Sequence, residues 1–321
     1  MRADVALNSA GLSLAGHLYT SDDLASGRHP AIVVGHPGSG VKEQAPAVYA
    51  QRLAHAGFVT LAFDSAYQGE SEGMPRGLED PAHRVEDLKA AVSFLSTHDD
   101  VDPDRIGILG ICASGGYALT ATASDHRVRA VATVSGVDIA SQFRNGADGA
   151  QDPSVFQGML DAAAAARTAE TRGDGIGTFP IFPQTSEEAR TMGGRHGFEG
   201  FEYYCTERAQ HPRSAKSFTW SSVDRMATFD AFRFIDQIAP RPILLIAGSE
   251  AVTSWMSVEA FQKARGPKEL VWIDGASHVD LYDRDQYVKP ALNRLTNFFT
   301  TNLNDRRIPT GELVGSNATG S

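Results

Sequence analysis

One stretch limits the possible folds more than any other. It is Arg105-Ile106-Gly107-Ile108-Leu109-Gly110-Ile111-Cys112-Ala113-Ser114-Gly115-Gly116, an apolar run that ends in small residues around a cysteine. An apolar strand followed by small-x-nucleophile-x-small marks a sharp turn from strand into helix that lifts one side chain into a pocket. The residue at such a turn is strained, so the positions two before and two after it must be small for strand and helix to approach. Gly110 and Ser114 satisfy this around Cys112. A second frame uses Cys112 and Gly116 as the small pair and Ser114 as the nucleophile. That frame lengthens the strand and opens the helix on two successive glycines, which are poor helix formers. Cys112 is the preferred candidate, and Ser114 is the alternative.

The rest of the chain alternates strands and helices, as an α/β layer structure requires. Residues 5–19 alternate apolar and polar around Ser9-Ala10-Gly11 and read as a β-hairpin at the antiparallel edge of a larger sheet. Buried strands are expected over 31–35, 59–64, 128–135, 242–247 and 269–273, with helical spacing over 85–95, 258–264 and 286–302. Asp80-Pro81 supplies a helix start signal before the first of these helices. From 139 to 236 the pattern breaks into short helical pieces, glycine-rich turns such as Gly173-Asp174-Gly175-Ile176-Gly177, and many aromatics. This segment reads as a lid inserted over the carboxyl ends of the strands. Its aromatics, among them Phe179, Phe182, Tyr204, Phe218 and Trp220, either line a pocket or fill the lid's own small core.

Four segments carry a family resemblance: His36-Pro37-Gly38-Ser39-Gly40 after a strand, Tyr67-Gln68-Gly69-Glu70-Ser71, the elbow at 110–116, and Gly275-Ala276-Ser277-His278-Val279-Asp280-Leu281-Tyr282. In this order the chain resembles the α/β-hydrolase superfamily, and within it a cysteine-elbow branch that includes dienelactone hydrolases and fungal polyketide transferase-like proteins. The resemblance implies an α/β-hydrolase fold, a mostly parallel sheet flanked by helices with an inserted lid. The core would take residues 1–138 and 237–303, the lid 139–236, and a tail at 304–321 is too poor in apolar residues to pack and is expected to be disordered.

The resemblance also implies a triad in the order nucleophile, acid, histidine. His278, after the last strand, takes the place of the general base. Glu250, just past Gly248, takes that of the acid. Relatives often carry a second carboxylate where this chain has Val252, so Asp138 at the end of the preceding strand stands as the alternative acid. Gly38 and Ala113 match the two amides of an oxyanion hole, each such donor being worth about 3 to 4 kcal/mol of barrier. Lys42 reads as a solvated loop residue rather than a substrate contact. The loop at 67–71 and Asp280 read as supports of the site, and Cys205 as a packed thiol.

Composition excludes several other classes. The net charge of -10 argues against a nucleic-acid surface, which needs a basic stripe. Two distant cysteines, Cys112 and Cys205, do not make a disulfide framework and point to a reducing compartment. No signal peptide and no membrane-length apolar run is seen, so a cytoplasmic location is expected. The ten histidines show no H-E-x-x-H pair, and no phosphate-binding or dinucleotide-binding glycine motif occurs, so no metal or other cofactor is expected. The expected partner is a small-molecule acyl substrate, without nucleic acid or membrane, and the oligomeric state is open. The expected function is hydrolysis of an ester, lactone or thioester through an acyl-cysteine. The alternatives are transfer of the acyl group to an alcohol or amine, and ligand binding without catalysis.

Overall fold

The structure is a computed structural model that describes residues 1–304 apart from Asp23, Ala25, Met192 and Gly193. Strands β1 (Arg2–Ser9) and β2 (Leu12–Tyr19) form the expected hairpin. Ala10 and Gly11 close it at φ 48° and 88°, a two-residue turn whose twist matches that of the strands. Next come β3 (His29–Gly35), α1 (Ala45–His55), β4 (Val59–Phe63), α2 (Pro81–Ser96), β5 (Val101–Ile111), α3 (Ala113–Ser124) and β6 (Val128–Val134). Asp80 caps α2 by accepting from the amides of Ala82 and His83, with Pro81 in the first turn.

A long excursion separates β6 from the next strand of the sheet. It holds α4 (Ile139–Asn145), α5 (Pro153–Arg172), β7 (Thr178–Pro180), α6 (Ser186–Thr191), α7 (Gly194–Cys205), β8 (Ser217–Thr219) and α8 (Ser221–Ala227). The sheet then resumes with β9 (Ile243–Gly248), α9 (Ser254–Lys263), β10 (Lys268–Ile273), the single turn α10 (Asp280–Asp283) and α11 (Asp285–Asn304). The tail expected to be disordered lies, beyond Asn304, outside the described residues.

Eight strands form one sheet in the order β1-β2-β4-β3-β5-β6-β9-β10. Apart from β1 and β2, whose pairings are antiparallel, neighbouring strands run parallel. Parallel strands covered on both faces read as continuous apolar runs. In β3, Ala31 and Val33 enter the core on one face while Ile32 and Val34 enter the core on the other. In β9, Ile243 with Leu245 and Leu244 with Ile246 divide in the same way. Because β3, β5, β6 and β9 are neighbours with their carboxyl ends together, the loops after them converge at one end of the sheet. The excursion has a small core of its own, Phe156, Ala163 and Val223 with Phe179 and Trp220 against it. Among the described residues no helix is long and apolar enough to cross a membrane.

Candidate active site

β5 passes into α3 through Cys112, which sits at φ 55° and ψ -121°. A non-glycine residue holds such a conformation only where the surrounding packing enforces it. Here that packing is backbone against backbone. A Cβ on Gly110 would lie 2.1 Å from the Ser114 carbonyl oxygen, and one on Gly116 would lie 2.6 Å from that of Val137. One on Gly115 would lie 2.6 Å from the Gly136 Cα. Gly115 and Gly116 are therefore required by the close passage of the segment after β6, which outweighs their poor helix propensity. Ser114, the alternative nucleophile, points away from the cavity: it is buried and its hydroxyl donates to the His36 carbonyl at 2.6 Å.

The backbone amides of Ala113 and Gly38 and the hydroxyl of Tyr282 lie beside the Cys112 sulfur and favour its thiolate. Burial raises the thiol pKa above its ordinary value, and these three contacts only partly oppose it. The loop carrying Gly38 is clamped from behind by Arg84 of α2. Arg84 donates to the His36 carbonyl at 2.8 Å, to His36 Nε2 at 2.7 Å and to the Ser65 hydroxyl at 2.8 Å. His36 Nε2 also accepts from the Ser65 amide at 3.0 Å, which places the ring proton on Nδ1, against the Pro37 carbonyl at 2.6 Å. Burial, with Arg84 beside it, keeps His36 well below its usual pKa, so the ring is neutral.

Lys42, expected as a solvated residue, is buried instead. Its ammonium bonds Asp64 at 2.9 Å, Glu70 at 2.5 Å and Glu43 at 3.0 Å. Asp64 also accepts from the amides of Lys42 and Glu70, and a Cβ on Gly69 would lie 2.2 Å from its carboxylate. This cage ties the loop at 67–71 to the loop after β3, a structural role in line with the expectation for 67–71.

His278 lies between β10 and α10, fully buried. Its Nε2 is 2.9 Å from the Tyr282 hydroxyl, one helical turn on, and its carbonyl accepts from the Ser135 hydroxyl at 2.9 Å. Among the described residues no carboxylate reaches Nδ1, which is 2.6 Å from the Thr253 hydroxyl. This corrects the expectation for Glu250, whose exposed carboxylate pairs with Arg195 at 3.1 Å. The Glu250 amide is tied to the Ala276 carbonyl, and it is Thr253, three residues on, whose side chain meets the imidazole Nδ1. Asp138 is elsewhere too, capping α4 by accepting from Ala140 at 3.0 Å and bonding the Ala231 amide at 3.2 Å. Thr253 is the N-cap residue of α9 but makes no cap bond, because its hydroxyl is taken by His278. Burial, and then the neighbouring His196, push the His278 pKa well below its usual value.

The sulfur opens onto a cavity of about 290 Å³. The excursion supplies most of its wall, with Phe143, Phe179, Phe182, Phe218 and Met159, so several of its aromatics line a pocket while Phe179 also packs against the excursion's own core. His196 of α7 and Gln142 of α4 add polar groups, and the His196 ring stands edge-on to that of His278 with centroids 4.8 Å apart.

The comparisons with known proteins agree with this architecture. The dienelactone hydrolase family matches over residues 14–172. The uncharacterized protein YcjY of Escherichia coli is 38% identical, over 92% of this chain and 96% of that protein. Thiohydrolase aneE of Aspergillus aculeatus is 30% identical, over 84% of this chain and 83% of that protein. The chain belongs to the dienelactone hydrolase family. The crystal structure of hypothetical protein PA2218 from Pseudomonas aeruginosa, 35% identical, superposes with a TM-score of 0.87 over 94% of each chain. This dienelactone hydrolase family member has the α/β-hydrolase fold and is an enzyme of the α/β-hydrolase kind.

Sequence reasoning brought Cys112, His278, Gly38 and Ala113 to one place and missed Thr253, Arg84, Gln142 and His196. Tyr282 stood in a quoted motif, four residues after His278, a spacing that puts both on one side of a helical turn. The others carry no local signal, because each acts from a different element.

Proposed function

We propose that this enzyme hydrolyses a small-molecule ester, lactone or thioester through an acyl-cysteine on Cys112. The observation that carries the reading is the arrangement around the sulfur: a strained elbow, two amides beside it, and the neighbouring Tyr282 hydroxyl, which is 2.9 Å from His278 Nε2. In the proposed first step the sulfur bonds to the acyl carbon. The thiol proton passes to the Tyr282 oxygen while the Tyr282 proton passes to His278 Nε2, and the carbonyl oxygen takes up negative charge between the amides of Gly38 and Ala113. Collapse breaks the bond to the leaving oxygen or sulfur, which takes the proton back from His278 along the same route. Water then attacks the acyl-cysteine, gives its proton to His278, and the carbon–sulfur bond breaks as the sulfur is reprotonated. Thr253 orients the imidazole by accepting from Nδ1–H, leaving Nε2 free to act as base. The printed name of the aneE relative, a thiohydrolase, supports a thioester among the candidate leaving groups.

Transfer to an alcohol or amine uses the same steps with a different acceptor. The test is the intact mass of the protein after brief exposure to p-nitrophenyl acetate and to an acyl thioester. An acyl adduct is expected on the wild type and on Ser114→Ala, and none on Cys112→Ala, with decay unaffected by added alcohol. Decay accelerated by alcohol would make the enzyme a transferase. An adduct that persists on Cys112→Ala, or one absent from every protein, would sink the reading.

A further inference from the structure

We propose that Ser39 is a positioning residue for the Gly38 amide, and that residues 213–219 of the excursion hold it in place. This rests on the function proposed above, in which that amide faces the oxyanion. Residues 37–40 form a tight turn, closed by the Gly40 amide on the Pro37 carbonyl at 3.0 Å. Ser39 stands third in the turn at φ 61°, the position that in a type II turn favours glycine or asparagine. A serine keeps such a backbone only where its surroundings enforce it. Here the excursion does so. The fully buried Ser39 hydroxyl accepts from the Lys216 amide at 2.8 Å, and the Ser39 carbonyl accepts from the Ser214 hydroxyl at 2.9 Å. Lys216 is itself at φ 56°, so two strained residues from distant segments are fastened to each other.

The fastening is reinforced on either side. Arg213 pairs with Glu43 at 2.6 Å and with Glu70 at 3.0 Å, joining the cage around Lys42. Phe218 of β8 packs over Gly38, where a Cβ would meet its Cζ at 3.5 Å. Arg84 holds the same loop at His36, ahead of the turn, so the backbone angle of Ser39 depends on the excursion. Released from those bonds, Ser39 relaxes to negative φ, and the peptide between Gly38 and Ser39 turns over as between a type II and a type I turn. That shifts the backbone carrying the Gly38 amide. The excursion thus walls the cavity and also sets one oxyanion donor, and the donor is set only while the excursion is seated on the loop.

The experiment compares two reactions of one thiol. Acylation of Cys112 by p-nitrophenyl acetate passes through an oxyanion, whereas alkylation by iodoacetamide is a displacement at carbon that forms none. Both rates are read by intact mass on the wild type, Ser39→Ala, Ser39→Gly and Ser214→Ala. Ser39→Ala loses the hydroxyl and keeps the backbone cost, so its acylation should fall about 10- to 100-fold, a misplaced donor mattering less than a deleted one. Alkylation should change by no more than about 5-fold, the worth of one dipole contact to the thiolate. Ser39→Gly loses the same hydroxyl but takes positive φ freely, so its acylation should return to within about 5-fold of the wild type. Ser214→Ala should also lower the ratio of acylation to alkylation, and it carries the comparison if Ser39→Ala does not fold. Equal acylation losses in the alanine and glycine variants, acylation and alkylation falling in parallel, or an unchanged ratio in Ser214→Ala overturns this inference while leaving the acyl-cysteine intact. A wild type that is alkylated at Cys112 but never acylated there overturns the acyl-cysteine as well.

Discussion

Thr253 stands where a triad would place a carboxylate, and a hydroxyl differs from a carboxylate in one decisive respect: it orients the imidazole but brings no negative charge to stabilise the imidazolium. A carboxylate at that distance raises a neighbouring base by about 1 to 3 pKa units. Thr253→Asp is therefore expected to move the acid limb of kcat/KM upward by at least about one pH unit, read from a pH–rate profile. Thr253→Val should lower kcat about 10-fold with little change in KM, since it removes orientation and no substrate contact. An unmoved profile in Thr253→Asp would show that His278 is not the base. The cysteine has its own signature. With its pKa raised by burial, its alkylation by iodoacetamide should still be climbing at about pH 8.5, the ordinary thiol value. A plateau near neutrality would instead reveal a thiolate–imidazolium pair.

The elbow shows how far local sequence reaches and where it stops. The small residues around Cys112 announce a tight turn, and the close backbone approaches at Gly110, Gly115 and Gly116 explain those three, so Gly110→Ala should destabilise the protein by about 3 kcal/mol or prevent folding, measured by chemical denaturation. Normal stability in that variant would mean the turn can relax. Sequence could not show that Ser114 turns inward to the His36 carbonyl, because that depends on β3 lying beside β5. Nor could it place the acid: the loop after β9 carries Glu250 in the expected place, yet the chain meets His278 only three residues later. Lys42 misled for a similar reason. A charged loop residue is usually solvated, and only the packing of the loop after β3 against the loop after β4 puts three carboxylates around it.

Across the whole molecule, four imidazoles among the described residues, His17, His36, His196 and His278, have their pKa lowered chiefly by burial. Their folded pKa values lie below the unfolded one, so below about pH 6.5 the unfolded chain binds protons that the folded protein does not. The stability they contribute is present above that value and falls as the pH falls, by up to about 1.4 kcal/mol per pH unit for each group. Asp64 and Asp138, raised by burial, act in the opposite direction. The difference between wild type and His196→Gln isolates one imidazole: the variant's Tm should fall less between pH 6.5 and 4. Parallel pH dependence in the two proteins would show that His196 is not buried neutral. What the chain determined by itself was everything encoded in neighbouring residues: strands, helices, the elbow, the glycine loop after β3, and the order of Cys112 and His278. What the tertiary structure alone decided was which groups from distant elements meet, Thr253 on His278, Arg84 behind the glycine loop, and His196 with Gln142 in the cavity wall. Periodicity and turn chemistry act over a few residues, whereas these contacts depend on the order of strands in the sheet and on how the excursion folds back over it.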